Sequence, residues 1–174
     1  MPRITDQELI ARAEIQDLLT RYGQAQDQDE WSLYDDIFTP DAAIHFPGMP
    51  MESRSAADFG RFLQEFNKTR ISGQHLIGNT LYRFENDGRS AHVVSEVIYI
   101  TLHPTDTPGR LRRIRGNALY SDQAVLTADG WRIARRDIAQ KNVEIDEADY
   151  DAVLLSAIES ASVTRWFGSS GDEA

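Results

Sequence analysis

The sequence contains no cysteine among its 174 residues. This absence excludes disulfide bonds, thiolate metal sites and cysteine nucleophiles. It suits a reducing compartment, so we expect a cytoplasmic location. Apolar runs are also short. None approaches the ~18 residues of a transmembrane helix, and the N-terminus lacks the apolar segment of a signal peptide. We therefore expect no membrane partner.

Positive charge is scarce, because 18 Lys and Arg face 28 Asp and Glu, for a net charge of −10. Such a surface repels phosphate backbones, so we expect no nucleic-acid partner. The arginines nevertheless cluster in the second half of the chain, at Arg110, Arg112, Arg113, Arg115, Arg132, Arg135 and Arg136. This pattern indicates neutralisation by acidic residues across neighbouring strands.

Several motifs of known chemistry are missing as well. The sequence has no G-x-G-x-x-G or phosphate-binding loop, and no G-x-S-x-G nucleophile motif. Its four histidines never take the H-x-x-x-H spacing of a zinc site. We predict that the protein uses no cofactor and no metal.

Helical periodicity dominates the first third of the chain, and strand alternation dominates the rest. The predicted helices cover about residues 6–27, 30–37 and 55–68, with a short strand at 42–46. Thr5 and Glu8 have the spacing of a capping box at the start of the first helix. The predicted long strands cover about 75–84, 91–103, 111–126 and 131–138, before a helix or extended arm at 147–166. Helices followed by a meander predict an α+β fold, a cone-shaped curved antiparallel sheet closed by N-terminal helices around a pocket. We expect one domain over 1–174, with a core at about 6–140 and a C-terminal extension at 141–174.

Asp27 and His75 are the first candidates for chemistry. A carboxylate at the C-terminal end of a helix opposes the helix dipole, so Asp27 is not placed to stabilise the first helix. His75 begins a strand in which Ile77 and Asn79 occupy alternate positions, which points the imidazole to the concave side if that face is inward. The alternatives are a solvated turn residue for Asp27 and a hydrogen-bonded core residue for His75.

Tyr22 and Arg136 are further candidates. Tyr22 lies about 140° around an ideal helix from Asp27, so the two share a face only if the helix end unwinds. Tyr22 is otherwise a suitable core residue. Arg136 lies between small and apolar neighbours in the last strand, and an inward arginine needs an anion or a carboxylate partner. Glu96, inside the most apolar strand, raises the same question.

Several stretches resemble the SnoaL-like family of the nuclear transport factor 2-like superfamily. Its N-terminal signature is similar to the segment from Ile15 to Asp27, followed by Trp31 and Phe38–Asp41. Gly73–Asn79 and Gly130–Ile133 match in the same order, so the resemblance spans about residues 8–140. It implies the α+β cone fold.

The chain looks most similar to the scytalone dehydratase, bile acid 7α-dehydratase and dehydrochlorinase branch. That branch has an aspartate and a histidine at the positions of Asp27 and His75. The bile acid enzyme adds a tyrosine that falls on Tyr22 and an arginine that falls on Arg136. The resemblance implies that these four residues are catalytic.

The implied function is a cofactor-independent lyase that performs a dehydratase-type β-elimination on a small hydrophobic cyclic metabolite. His75 would move the proton while Asp27 fixes its tautomer. The predicted substrate-binding residues are Tyr34, Phe38, Phe46, Asn79, Ile98 and Tyr120. A polyketide or terpenoid cyclase or isomerase, and a non-catalytic small-ligand-binding module, remain alternatives. We expect a homo-oligomer, a dimer or trimer, because open sheet faces are normally covered.

Overall fold

The computed structural model describes residues 4–48 and 53–160, with the backbone alone at 53 and 54. The helices are α1 (Asp6–Asp27), α2 (Tyr34–Ile37) after a 3-10 turn (Trp31–Leu33), α3 (Ala56–Asn67) and α4 (Ala152–Ser160). The strands are β1 (Phe38–His45), β2 (Ser53–Ser55), β3 (Ser72–Phe84), β4 (Ser90–Pro104), β5 (Arg110–Thr127) and β6 (Gly130–Asp149).

The strands form one sheet in the order β2-β1-β6-β5-β4-β3. This arrangement confirms the predicted α+β fold, with one correction to the sheet. The sheet is mixed, because β1 pairs parallel with β6 while the other pairs are antiparallel. A hairpin forces antiparallel pairing, but β1 and β6 are separated by the rest of the fold, so no tight turn constrains their direction.

Helix α1 begins at the predicted capping box. The Thr5 hydroxyl accepts a hydrogen bond from the Glu8 backbone N–H at 3.2 Å, and the Glu8 carboxylate accepts from the Thr5 N–H at 3.0 Å. The helix then buries one stripe against β3 and β6, formed by Ala11, Ile15, Leu18, Leu19, Tyr22 and Ala25. It stays helical through Asp27, so the unwinding considered for its last turn does not occur.

Strand β4 shows how the sheet separates its two faces. Val93, Ser95 and Val97 are fully buried on the inner face, whereas Ile98 is 62% exposed on the outer face. Leu76 lies opposite Ile98 in β3 and is also exposed. The homo-oligomer that we expect from an open sheet face, a dimer or trimer, stays a prediction.

A bulge in β3 changes which side chains face inward. The pairing register shifts between Gly78 and Leu81, and Asn79 takes a left-handed φ of 48°. An extra residue in one strand reverses the alternation beyond it. Asn79 is therefore exposed, and the predicted shared face ends at Ile77.

Acidic residues across β5 and β6 neutralise most of the arginine cluster, as predicted, but Arg135 pairs with Asp137 of its own strand and Arg132 lies 3.9 Å from Asp36 of α2. The cross-strand pairs that solvent reaches are Arg110 with Glu147 and Asp149, Arg112 with Glu147, Arg113 with Asp146, and Arg115 with Glu144. Solvent screens such pairs, so each contributes only about 0.2–1 kcal/mol.

Among the residues that the structure covers, no helix has both the length and the apolar character to cross a membrane.

A second bulge lies where β5 and β6 pass the pocket. Asn117 pairs with Asn142, but Ala118 pairs with Gln140, so Lys141 is the extra residue. Its ammonium contacts the Glu96 carboxylate at 2.7 Å on the outer face, which gives Glu96 its partner. Bulges commonly aim side chains beside functional sites. This bulge brings Gln140 to the cavity described below.

Gly116 in β5 predicts a sharp stability difference. A Cβ there would lie 2.3 Å from the Asn142 carbonyl oxygen and 2.7 Å from the Tyr99 hydroxyl. Relieving this contact requires a shift of the Asn142 backbone, which is unfavourable. Gly116→Ala should therefore lower the free energy of unfolding in urea by about 1–3 kcal/mol. Gly78→Ala is the matched control, because nothing lies within 4 Å of its Cβ position, and it should stay within about 0.5 kcal/mol. Equal effects of the two substitutions would refute this account of β5.

Candidate active site

The structure brings Asp27, the last residue of α1, against His75 at the start of β3. Oδ1 of Asp27 lies 2.6 Å from Nδ1 of His75, and Oδ2 accepts the His75 backbone N–H at 2.7 Å. The two side chains are only 6% and 9% exposed. Both carboxylate oxygens therefore hold the same residue, one through its ring and one through its backbone.

This geometry fixes the tautomer of the imidazole. An ionised carboxylate can only accept hydrogen bonds, so the ring proton of neutral His75 belongs on Nδ1. The lone pair is then on Nε2, the nitrogen that is not bound to Asp27. A buried carboxylate that orients an imidazole in this way prepares it to accept a proton at Nε2.

Tyr99 packs against the face of the same imidazole. The two rings stack with centroids 5.8 Å apart and an angle of 25° between their planes, and β3 and β4 place them directly opposite each other. Burial raises the pKa of Tyr99, so its hydroxyl stays protonated. Gly116 leaves room for that hydroxyl. Asp27 at the edge and Tyr99 on the face together restrict rotation of the ring.

His75 and Tyr99 line a cavity of about 470 Å³. Helix α3 supplies one apolar wall and the sheet supplies the other. The wall from α3 consists of Phe59, Phe62, Leu63 and Phe66, and that from the sheet includes Ile114, Ala118, Ile138 and Val143. Pro47, Gly48, Phe66 and Val143 are exposed, so the cavity opens beside them. No Asp, Glu, Lys or Arg is present among the described lining residues.

The polar lining groups include Gln26, Asn67, Thr101 and Gln140. Gln26 and Asn67 are buried, and the Gln26 side-chain nitrogen has no hydrogen-bond partner among the described residues. A cavity with this lining suits an uncharged molecule that carries a few hydrogen-bonding groups. No group of His, Asp and Glu in the described parts of the chain is arranged to hold a metal ion.

Tyr22 and Tyr120 line the inner end of the cavity, over a buried ion pair. Both nitrogen–oxygen contacts between Arg136 and Asp122 measure 2.7 Å, and both side chains are inaccessible to solvent. The guanidinium carbon lies 4.0 Å from the Tyr22 ring centroid and 4.3 Å from that of Tyr120. Burial disfavours the charged guanidinium, but the Asp122 carboxylate outweighs it and raises the pKa of Arg136.

Arg136 therefore points inward as predicted, yet it does not reach the cavity surface. The carboxylate partner expected for an inward arginine is Asp122, which occupies the guanidinium fork, while the rings of Tyr22 and Tyr120 lie against the guanidinium. In this position the cation supports the rings through cation–π attraction. Burial raises the pKa of Tyr120 well above its usual range, so this phenol remains a hydrogen-bond donor.

Only some of the other predicted site residues line the cavity. Phe46 and Tyr120 line the cavity with His75 and Tyr22. Tyr34 and Phe38 are buried behind Tyr22, with ring centroids 5.8 and 5.9 Å from its ring, outside the lining. Asn79 and Ile98 are wrong as cavity residues, because the β3 bulge exposes Asn79 and strand alternation places Ile98 on the outer face.

Sequence reasoning missed much of the cavity wall. The apolar spacing of Phe59, Phe62, Leu63 and Phe66 identified helix α3 but did not show which surface it faces. Tyr99 differed in no local feature from other strand tyrosines. Asp122 became recognisable only through the β5–β6 register, which places it opposite Arg136.

Comparison with known proteins identifies the family to which this fold belongs. The SnoaL-like domain family model matches residues 7–137. An uncharacterised protein of Mycobacterium tuberculosis is 32% identical over 130 residues, which cover 74% of this chain and 84% of that protein. The chain thus has the nuclear transport factor 2-like cone fold, and it belongs to the SnoaL-like family.

Solved structures share the same fold. A protein of Kribbella flavida superposes with a TM-score of 0.68 at 26% identity, covering 78% of this chain and 94% of that one. A hexachlorocyclohexane dehydrochlorinase of Novosphingobium barchaimii gives a TM-score of 0.67 at 15% identity, covering 80% and 92%. At such low identity the second similarity concerns the fold alone.

The ion pair beneath the cavity predicts a diagnostic stability pattern. Asp122→Ala leaves a buried cation unpaired and should cost about 3–5 kcal/mol of unfolding free energy. The double variant Asp122→Leu with Arg136→Met removes both charges and should recover most of that loss. Glu144→Ala, which breaks an exposed pair with Arg115, should cost at most about 1 kcal/mol. Chemical denaturation measures all three, and a double variant less stable than Asp122→Ala would contradict this reading.

His103 predicts a pH dependence of stability. It is buried beside Thr101 and Phe66, and burial, with the positive charges of Arg70 and Arg112, lowers its pKa. In the unfolded chain the pKa of His103 is near the ordinary value of about 6.5, so the unfolded chain binds a proton on this side chain more readily than the folded protein does. Stability should be full above that value and should fall as the pH drops through it towards the lower folded pKa. In urea titrations His103→Gln should flatten this decline, and an unchanged decline would exclude His103 as its source.

Proposed function

We propose that this protein is a cofactor-independent lyase that eliminates water, or a similar leaving group, from a small hydrophobic cyclic metabolite. The observation that supports this proposal most is the buried Asp27–His75 contact beside an apolar cavity of about 470 Å³. Membership of the SnoaL-like family agrees with it, since a protein of the same fold is a dehydrochlorinase, an enzyme that performs an elimination.

In this proposal the reaction begins at Nε2 of His75. That nitrogen removes a proton from the carbon next to a carbonyl or other activating group, and the imidazole becomes an imidazolium. Asp27 stabilises the new charge through Nδ1 without taking the proton. The bond to the leaving group then breaks, its electron pair departs with the leaving oxygen or halide, and a carbon–carbon double bond forms. For dehydration, the imidazolium returns its proton to the departing hydroxyl, which completes one molecule of water.

Tyr22 is the hydrogen-bond donor that this scheme needs at the inner end of the cavity. A phenol there can donate to the substrate carbonyl as negative charge develops on its oxygen. Arg136 assists from behind the ring, where its charge makes the phenol a stronger donor, so its role is to position and polarise Tyr22. The apolar walls limit water, which strengthens each of these interactions.

An isomerase or cyclase of polyketide or terpenoid intermediates uses the same proton transfer without a leaving group, and remains the alternative. A non-catalytic binding module of this fold would keep the Asp27–His75 contact as a purely structural hydrogen bond. The product distinguishes the three functions: an elimination product is lighter by the leaving group and one hydrogen, an isomer has unchanged mass, and a binder returns the ligand unaltered.

The direct test is incubation with a panel of neutral cyclic β-hydroxy ketones and chlorinated rings in deuterated water, followed by mass spectrometry. We expect loss of water or hydrogen chloride from at least one compound, with time-dependent product formation. Deuterium exchange or rearrangement without loss of mass would favour the isomerase. Saturable binding with no chemical change across the panel would contradict the lyase proposal.

Two substitutions test the catalytic pair on any substrate found in this way. Asp27→Asn and His75→Ala should each lower kcat by about 10²–10⁴-fold. His75→Ala removes the base itself, and Asp27→Asn removes the carboxylate that keeps the ring proton on Nδ1. Both variants should remain folded but melt at a lower temperature than the wild type, because the buried carboxylate binds both the ring and the backbone of His75. The controls are Asp17→Asn, on an exposed face of the same helix, and His92→Ala, an exposed histidine bound to Ser121; both should keep full activity. Full activity in either pair variant would refute the mechanism.

A further inference from the structure

The last turn of α1 poses an electrostatic problem for Asp27. The C-terminal end of a helix carries unpaired carbonyl oxygens and partial negative charge. Asp27 adds a carboxylate at that end, and the helix has no basic residue in its last turn. Repulsion should therefore push Asp27 away from its contact with His75 unless a cation from elsewhere in the fold compensates.

Arg70 supplies that cation, from the turn between α3 and β3. Its side chain is only 2% exposed. Nη2 donates to the backbone carbonyl of Gln26, to that of Asp27 at 3.3 Å, and to a carboxylate oxygen of Asp29 at 3.0 Å. The guanidinium thus binds orphan carbonyls at the helix end together with the first acidic side chain beyond it.

The same guanidinium is confined from the side of β3. A Cβ on Gly73 would lie 2.9 Å from Nη1 of Arg70, so the strand passes close to this nitrogen two residues before His75. Asp29 has a left-handed φ of 59°, an uncommon conformation for a residue other than glycine, and its carboxylate is bound to Arg70. Arg70 is therefore bound to the end of the helix that bears Asp27 and lies against the beginning of the strand that bears His75.

We propose that Arg70 is a positioning residue that fixes the backbone of Asp27, and through it the hydrogen bond from Nδ1 of His75. Arg70 is not among the described residues that line the cavity, so it acts through Asp27 and does not touch a substrate. Its effect on the hydrogen bond depends on geometry alone, whereas its effect on turnover rests on the proposed function.

The hydrogen bond can be followed without any substrate. In protein labelled with ¹⁵N-histidine, the Nδ1 proton of His75 is identified as the NMR signal that His75→Ala removes. In Arg70→Met its exchange with water should become roughly tenfold faster or more, because the restraint on Asp27 is lost and the contact opens more often. Arg70→Lys keeps the charge but not the planar fork and should give an intermediate rate. Arg21→Met removes an exposed arginine paired with Asp17 on the same helix and should leave the rate unchanged.

An unchanged exchange rate in folded Arg70→Met would overturn the proposal. If the methionine variant does not fold, Arg70→Lys decides: faster exchange supports the proposal, and the wild-type rate refutes it. Once a substrate is known, Arg70→Met should lower kcat by about 10–100-fold with KM changed less than about twofold. Guanidinium ion added to Arg70→Gly should restore part of that loss and should have no effect on Arg21→Gly.

The two readouts separate the two hypotheses. Faster exchange in a protein that transforms no compound supports Arg70 as a positioning residue and counts against the lyase. Normal exchange and normal kcat in Arg70→Met, alongside an inactive Asp27→Asn, support the lyase and refute the role of Arg70.

Discussion

The hydrogen bond between Asp27 and His75 is the interaction on which the proposed chemistry depends, and three elements meet to form it. Helix α1 ends at the carboxylate, β3 begins near the imidazole, and β4 places Tyr99 against the face of the ring. The backbone N–H of His75 also donates to Asp27, so the carboxylate fixes the position of the strand as well as the ring. A carboxylate at a helix C-terminus is unfavourable in isolation, and the buried guanidinium of Arg70 contacts the backbone carbonyl of Asp27 at this helix end.

Charged side chains lie close to the cavity but are not part of its described lining. Arg136 and Asp122 neutralise each other behind Tyr22, and Arg70 is occupied by the helix end and Asp29. The described lining consequently offers hydrogen bonds and apolar surface but no fixed formal charge. This arrangement suits an elimination from a neutral ring, in which charge develops only as the reaction proceeds. It suits an anionic substrate poorly, because desolvating an anion without a cationic partner is expensive.

The sequence predicted the features that arise from local periodicity. Helix α1 with its capping box, the α+β order of elements and the neutralised arginines all follow from spacing and charge, and the family resemblance located Asp27 and His75. What it could not predict depends on how distant segments meet. The β3 bulge that exposes Asn79 and the parallel entry of β1 are decided by tertiary packing. The partner of Arg136 is decided by strand register, which hydrophobic alternation alone leaves open. Arg70 looked like an ordinary loop arginine because its acceptors lie more than 40 residues earlier in the chain.

The central claim is that His75 presents an unprotonated Nε2 because Asp27 holds the proton on Nδ1. Neutron diffraction from a deuterated crystal grown in alkaline buffer observes this directly. The account predicts a deuteron on Nδ1, shared in a short hydrogen bond with Asp27, and none on Nε2. A deuteron on Nε2 with a bare Nδ1, or an Asp27 side chain turned away from the ring, would contradict it.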